Sequence, residues 1–127
     1  DARNAGFSTG RPWLPVPTSH AAAAVDLQEG DEASVLTWYR RVLAARRGSA
    51  ALRGGVLRFY PAGAEMLVFE RRSGGEAVLC AFNFSDRDAR VRRPAGADEV
   101  LLAVGDHSFG KATLTLAGRA AAFIRMP

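Results

Sequence analysis

Carboxylates, two histidines, serines and one cysteine are the side chains of this 127-residue chain that could carry chemistry, and their spacing decides whether they do. Asp86 with Asp88 and Asp98 with Glu99 form acidic pairs. Acid–base work by two carboxyls needs them to converge on one reacting group, one of them with a raised pKa. Both pairs fall in expected turns or at a strand start, where water opposes such a shift, so solvated turn residues are expected. Asp106-His107-Ser108 holds the three residue types of a nucleophilic triad. Triad members must converge from separate places in a fold, so adjacent positions predict an ordinary turn. His20 and His107 stand in no metal-ligand spacing, and no metal site is expected. Gly74-Gly75 lacks the following helix and lysine of a phosphate loop. Cys80, the only cysteine, lies inside an apolar run and is expected to be a buried, inert thiol. The sequence therefore predicts no catalytic residue and no cofactor within the chain.

The balance of residue types supports a packed domain. Hydrophobic residues make up 48% of the chain and charged residues 24%, which argues against disorder and permits a sizeable core. No apolar run is long enough to cross a membrane, and no secretory leader is visible, so a cytoplasmic location is expected. The net charge of +4 raises the question of a nucleic-acid partner. Its distribution argues against one: Arg40-Arg41, Arg46-Arg47, Arg71-Arg72 and Arg90 with Arg92-Arg93 lie on different expected elements, and acidic residues such as Glu70, Asp86 and Asp88 stand beside them.

Three regions follow from hydrophobic periodicity. Residues 1–20 form a rigid loop. A helix then runs to Gly48, capped by Asp31 or Ser34, with Glu32 in its first turn and Arg46 and Arg47 in its last, matching the helix dipole. Val35, Leu36, Tyr39, Val42 and Leu43 make one apolar stripe that must be buried against something. From Gly54 onward the period changes to two. Strands are expected at 55–60, 65–72, 76–84, 88–92, 98–104, 111–116 and 120–126. Pro61-Ala62-Gly63 closes one hairpin, Ser73-Gly74-Gly75 a second, and Asp86-Arg87-Asp88 marks a third hairpin. The fold class is thus mainly β: an antiparallel β-sandwich of about seven strands with Greek-key connections, preceded by a loop and one amphipathic α-helix. Phe59, Phe69, Phe82, Phe84 and Phe123 are expected to fill the sandwich core, the alternative being a sugar-stacking platform.

Asn4-Ala5-Gly6-Phe7-Ser8-Thr9-Gly10-Arg11-Pro12-Trp13-Leu14-Pro15-Val16 reads as the middle of a loop that needs a partner surface for Phe7 and Trp13, so an upstream portion is expected. That segment, Val25 with Gln28, the run Asp31 to Arg46, and the strand Val78 to Ser85 closing on Asn83-Phe84-Ser85 resemble the carboxy-terminal part of the α-amylase superfamily, glycoside hydrolase family 13. The likeness is to its oligo-1,6-glucosidase and α-glucosidase branch. Leu116-Ala117-Gly118-Arg119-Ala120 departs from that family's proline-containing final turn, which leaves the geometry of an expected last hairpin open.

The resemblance implies that residues 1–48 are the loop and final helix of a (β/α)8 barrel and residues 49–127 a C-terminal β-sandwich domain. Its retaining enzymes carry an aspartate nucleophile, a glutamate acid/base and a second aspartate upstream of any position present here. The chain is therefore expected to be a non-catalytic structural domain of an α-glucosidase-type hydrolase or transglycosylase. Its partners would be the catalytic barrel and, through it, an α-glucoside. Asn4 and Phe7, on the loop after the last barrel strand, are the candidates for the rim of the substrate cleft. An autonomous α-glucan-binding module and a stand-alone interaction domain are the competing classes. With half of its helix stripe unpartnered, the chain on its own is expected to self-associate.

Overall fold

The computed structural model describes residues 3–6 and 8–127, which fall into two compact units, Asp1–Val42 and Leu43–Pro127. Phe7 lies outside the described residues.

The first unit contains two short helices, α1 (Thr18–Ala22) and α2 (Val25–Glu29), and the start of α3 (Val35–Gly48). Of the two caps expected for α3, Ser34 takes the role: its Oγ accepts from the Thr37 amide at 3.1 Å. Asp31 instead closes the preceding turn, accepting from the Ala33 amide at 2.8 Å. Gln28 binds this corner together. Its carbonyl accepts from Ser34 Oγ at 2.7 Å, and its side-chain oxygen accepts from the Leu36 amide at 3.1 Å. Two amide donors of the α3 amino terminus are thereby satisfied by side chains. Along the apolar stripe of α3, Val35 and Tyr39 stay exposed while Leu36, Val42 and Leu43 are half-buried, and no residue of the helix is fully buried.

The second unit holds a helix that the sequence reading lacked, α4 (Ala50–Gly54), and eight strands: β1 (Val56–Phe59), β2 (Met66–Ser73), β3 (Glu76–Asn83), β4 (Ala89–Arg92), β5 (Glu99–Val104), β6 (His107–Phe109), β7 (Thr113–Leu116) and β8 (Ala121–Met126). They form two antiparallel sheets, ordered β1-β2-β3-β8-β5 and β4-β7-β6. The sandwich class is as expected, with one strand more. β6 replaces the turn expected around Asp106-His107-Ser108, since three residues are too few to show a period of two in the sequence. Two connections also differ from expectation. The segment around Asp86-Arg87-Asp88 carries the chain from the five-stranded sheet to the three-stranded one. The stretch 117–120 makes the return crossing, since β7 pairs with β4 and β6 whereas β8 pairs with β3 and β5. There is accordingly no last hairpin. The hairpins at 60–65 and at Gly74-Gly75 do form, the latter with Gly74 at a left-handed φ of 58°.

The main core lies between the sheets. Val68, Leu79 and Ile124 of the larger sheet meet Val91, Leu114 and Leu116 of the smaller one. Small residues Ala77, Ala81 and Ala122 sit among them, all fully buried. β3 is central and buried on both faces, which explains why Ala77 to Phe82 is a nearly unbroken apolar run. One carboxylate enters the inner layer: Glu70 accepts from the Tyr60 hydroxyl and lies 3.5 Å from Arg72 Nε. The hydrogen bond to that carboxylate, followed by burial, holds the Tyr60 phenol above its usual pKa.

The two crossings are tied by Asn83 and Ser85. The buried Asn83 amide nitrogen lies 2.7 Å from the Arg87 carbonyl and 2.8 Å from that of Ala117, and its oxygen accepts from the Ser85 amide at 3.0 Å and the Ser85 hydroxyl at 2.8 Å. The Arg119 amide donates to the Ser85 carbonyl at 2.8 Å, with Arg119 itself at φ 59°. A Cβ on Gly118 would come within 2.5 Å of the Asp86 carbonyl carbon, so the loops touch backbone to backbone and glycine is needed there. The Asn-Phe-Ser turn is thus a structural knot that fixes where the chain changes sheets.

Candidate functional site

None of the five phenylalanines expected in the sandwich core is there. β-strand side chains alternate between faces, and the register puts Phe59, Phe69, Phe82 and Phe123 on the side of the larger sheet that faces away from the smaller one. The reason the reading failed is that β3 has apolar residues on both faces, so alternation alone could not say which face was inner.

Helix α4 covers one part of this outer face. Ala51 and Leu52 pack with Val78 and Cys80 into a second buried cluster, against which Phe69, Phe82, Leu101 and Phe123 lean. The helix is held at both ends. Ser49 Oγ accepts from the Leu52 amide at 3.1 Å, and the Glu76 carboxylate accepts from the Ala51 amide at 3.0 Å. Arg46 donates to the carbonyls of Leu52 at 2.6 Å and Arg53 at 3.3 Å. The Ala51 amide, and then the Ser49 hydroxyl, pull the Glu76 carboxyl below its usual range. A Cβ on Gly55 would meet the Ala51 and Arg72 carbonyl oxygens at 2.5 and 2.8 Å, which shows how tightly the end of the helix presses on β2. The second cluster pushes the Cys80 thiol up to about 12 by burial, in keeping with the inert thiol expected.

The rest of the outer face is open. Phe59 and Phe69 meet edge to face with centroids 5.9 Å apart, Phe69 and Phe82 stack at 6.0 Å, and Phe82 and Phe84 stack at 6.3 Å. The row ends on Phe59 and Phe84, which are 63% and 67% exposed, with Leu57 and Leu67 beside them. A contiguous exposed patch of this composition marks an interaction surface. A sugar platform needs polar groups around the rings to meet hydroxyls. Here the side chains beside the exposed rings are leucines, and all four rings of the row engage one another. The chemistry favours a dry contact with another protein surface.

The other sequence candidates do not converge. Asp86 pairs with Arg119 at 2.6 Å and Glu99 with Arg125 at 3.1 Å. His107 lies edge-on to Phe109 at 5.8 Å, while Ser108, the next residue on β6, points to the opposite face. No group of three potential metal ligands occurs among the described residues. No helix among them is long and apolar enough to cross a membrane. Asn4 takes a left-handed φ of 55°, and its amide nitrogen donates to the carbonyls of Ser8 and Gly10, each at 2.9 Å. It shapes its own loop, beside a shallow concavity lined by Pro12, Trp13 and Leu14. The sequence reading missed α4. Ser49, a good cap, followed by Ala50-Ala51-Leu52 and closed by Gly54-Gly55, was the signal that could have found it.

Residues 30–123 match the family described as "Domain of unknown function (DUF3459)". The "Probable alpha-glucosidase" of Rhizobium meliloti (strain 1021) is 47% identical over 89 residues, covering 70% of this chain and 16% of that protein. The "Probable oligo-1,6-glucosidase 2" of Bacillus subtilis (strain 168) is 32% identical over 93 residues, or 72% of this chain and 17% of the relative. The chain thus spans about a sixth of the length of these curated relatives. Among solved structures, the trehalulose synthase MutB from Pseudomonas mesoacidophila MX-45 superposes with a TM-score of 0.84 at 28% identity, over 98% of this chain and 24% of that one. The "alpha-glucosyl transfer enzyme, XgtA" gives 0.80 at 38% identity, over 96% and 23%. The chain belongs to the DUF3459 family, the C-terminal β domain of α-glucosidase-like enzymes of the α-amylase superfamily.

Proposed function

We propose that this domain serves a retaining α-glucosidase-type enzyme by docking its outer aromatic face on the catalytic (β/α)8 barrel of the same polypeptide, residues 1–48 supplying the last barrel loop and helix and residues 49–127 the β domain. The observation that carries the reading is the row Phe59, Phe69, Phe82 and Phe84, left open on a chain whose relatives are several times longer. Burying a phenylalanine contributes about 1.5–3 kcal/mol, so the two exposed ends alone favour a covering surface strongly. The names of the relatives span glucosidases, a trehalulose synthase and a glucosyl transfer enzyme, which supports a role common to different reactions. An α-glucoside is the substrate class of the whole enzyme in this reading, and its compartment is the cytoplasm. Asn4 and Phe7 belong to the rim of the cleft, Asn4 by holding the loop's curvature.

The test uses the chain alone beside the full-length enzyme. The chain is expected to leave an aryl α-glucoside untouched, to give no saturable heat with maltotriose, and to self-associate in light scattering through its open face. Saturable maltotriose binding would favour the glucan-binding module instead, and hydrolysis above the buffer rate would overturn the non-catalytic reading.

A further inference from the structure

Charged side chains also stand on the outer side of the larger sheet, and Arg71 is the one whose guanidinium is left without an acceptor among the described residues. Arg71 stands on β2 two residues after Phe69, with Leu57 of β1 and Val78 of β3 as its register partners. It is half-buried, and its Nε is buried with no acceptor among the described residues. Three arginines of the region are engaged: Arg72 lies against Glu70, Arg125 pairs with Glu99, and Arg46 caps α4. Arg93 also has a buried, unpaired Nε, but its terminal nitrogens donate to Ala97 and Gly110 carbonyls at 2.8 and 3.0 Å. Among the described residues Arg71 makes no such bond. Val78 on one side is already covered by α4, while Leu57 on the other is open; a guanidinium already stripped of part of its water at this boundary would be left uncompensated when a cover over Leu57 and Phe59 arrives. A facing carboxylate resolves this, because it neutralises the charge and matches the planar fork in a bidentate pair. The chain's own excess of positive charge points the same way.

We propose that Arg71 is the polar anchor of the docking face, taking a carboxylate supplied by the portion of the larger enzyme that covers Phe59 and Phe84. This rests on the docking reading above, and the experiment separates the two. In the full-length enzyme, amide hydrogen exchange along β1 to β3 is followed in wild type, Phe84→Asp, Arg71→Met and Arg71→Lys across the range from about pH 7 to pH 4, where carboxylates take up protons. If Phe84→Asp leaves exchange unchanged, the face is not docked and both readings fall. If Phe84→Asp speeds exchange, docking stands and Arg71→Met decides. It is expected to raise exchange by about thirtyfold or more at neutral pH, the usual scale for removing one partner of a buried charge pair. The gap to wild type should narrow toward low pH, as the orphaned carboxylate is protonated, and Arg71→Lys should recover part of it. Other groups on or beside the face, Glu76 on the α4 amides, Glu99 on Arg125, and Cys80, are common to both proteins and cancel in the difference. An Arg71→Met protein that exchanges like wild type, or a gap that stays constant with pH, would overturn the anchor while leaving the docking face intact.

Discussion

Replacing Asn83 should be among the most damaging single changes in the β unit, and the structure permits the size to be worked out. Its amide nitrogen serves the Arg87 and Ala117 carbonyls at 2.7 and 2.8 Å, and its oxygen takes the Ser85 amide at 3.0 Å. Asn83→Ala leaves the Ser85 amide unpaired in a site where Asn83 is only 2% exposed, and it removes one donor each from the Arg87 and Ala117 carbonyls, which keep the Ser85 hydroxyl at 2.9 Å and the Ala120 amide at 3.2 Å. The unpaired amide costs about 1–3 kcal/mol and each lost hydrogen bond about 0.5–1.5 kcal/mol, so with some relief from loop adjustment a loss of about 2–4 kcal/mol is expected. Against a total of about 5–15 kcal/mol, this is a large fraction of what holds a domain together. Asn83→Asp keeps the shape but turns an oxygen toward both carbonyls and buries a charge. It should be worse than Asn83→Ala near neutrality and should recover toward about pH 4, where a protonated carboxyl can donate to one of them. Urea unfolding followed by the strand signal in far-ultraviolet circular dichroism measures both. A loss below about 1 kcal/mol for Asn83→Ala, or an Asn83→Asp protein indifferent to pH, would refute the view that this knot governs the sheet crossings.

Two further predictions concern α4 and its cluster. Because the Glu76 carboxyl is held below its ordinary pKa, its contribution is present above the unfolded-state value and is lost as pH falls through the lower folded-state value. Glu76→Gln should flatten the acid limb of the stability curve and speed exchange of the Ala51 amide, and an unchanged acid limb would remove the carboxylate from the account. The Cys80 thiol, raised to about 12, favours the folded state below its ordinary value, and that stability is lost as pH rises toward 12. Folded protein at mildly alkaline pH should therefore resist a thiol reagent and react fully once urea is added. Immediate labelling of the native protein would show that α4 does not seal Cys80.

Some of this protein was settled by local chemistry and some was not. The sequence determined the element types wherever a period and a stop signal coincided. The stripe from Val35 to Leu43 ending at Gly48 could only be a helix, and Gly74-Gly75 between alternating runs could only be a tight hairpin. The family resemblance was legible too, because Gln28, Ser34 and Ser85 serve groups within eight residues of themselves, where order along the chain preserves the pattern, although Asn83 also reaches Ala117 across the fold. Only the tertiary structure decided which side of the larger sheet is inner. Ala77, Leu79 and Ala81 on one face and Val78, Cys80 and Phe82 on the other are equally apolar, and the choice depends on which face the smaller sheet and α4 come to cover. That choice is made by non-local burial, which no window of sequence contains, and it turned the expected core rings to the outer face, four of them in an open row with Arg71 beside it.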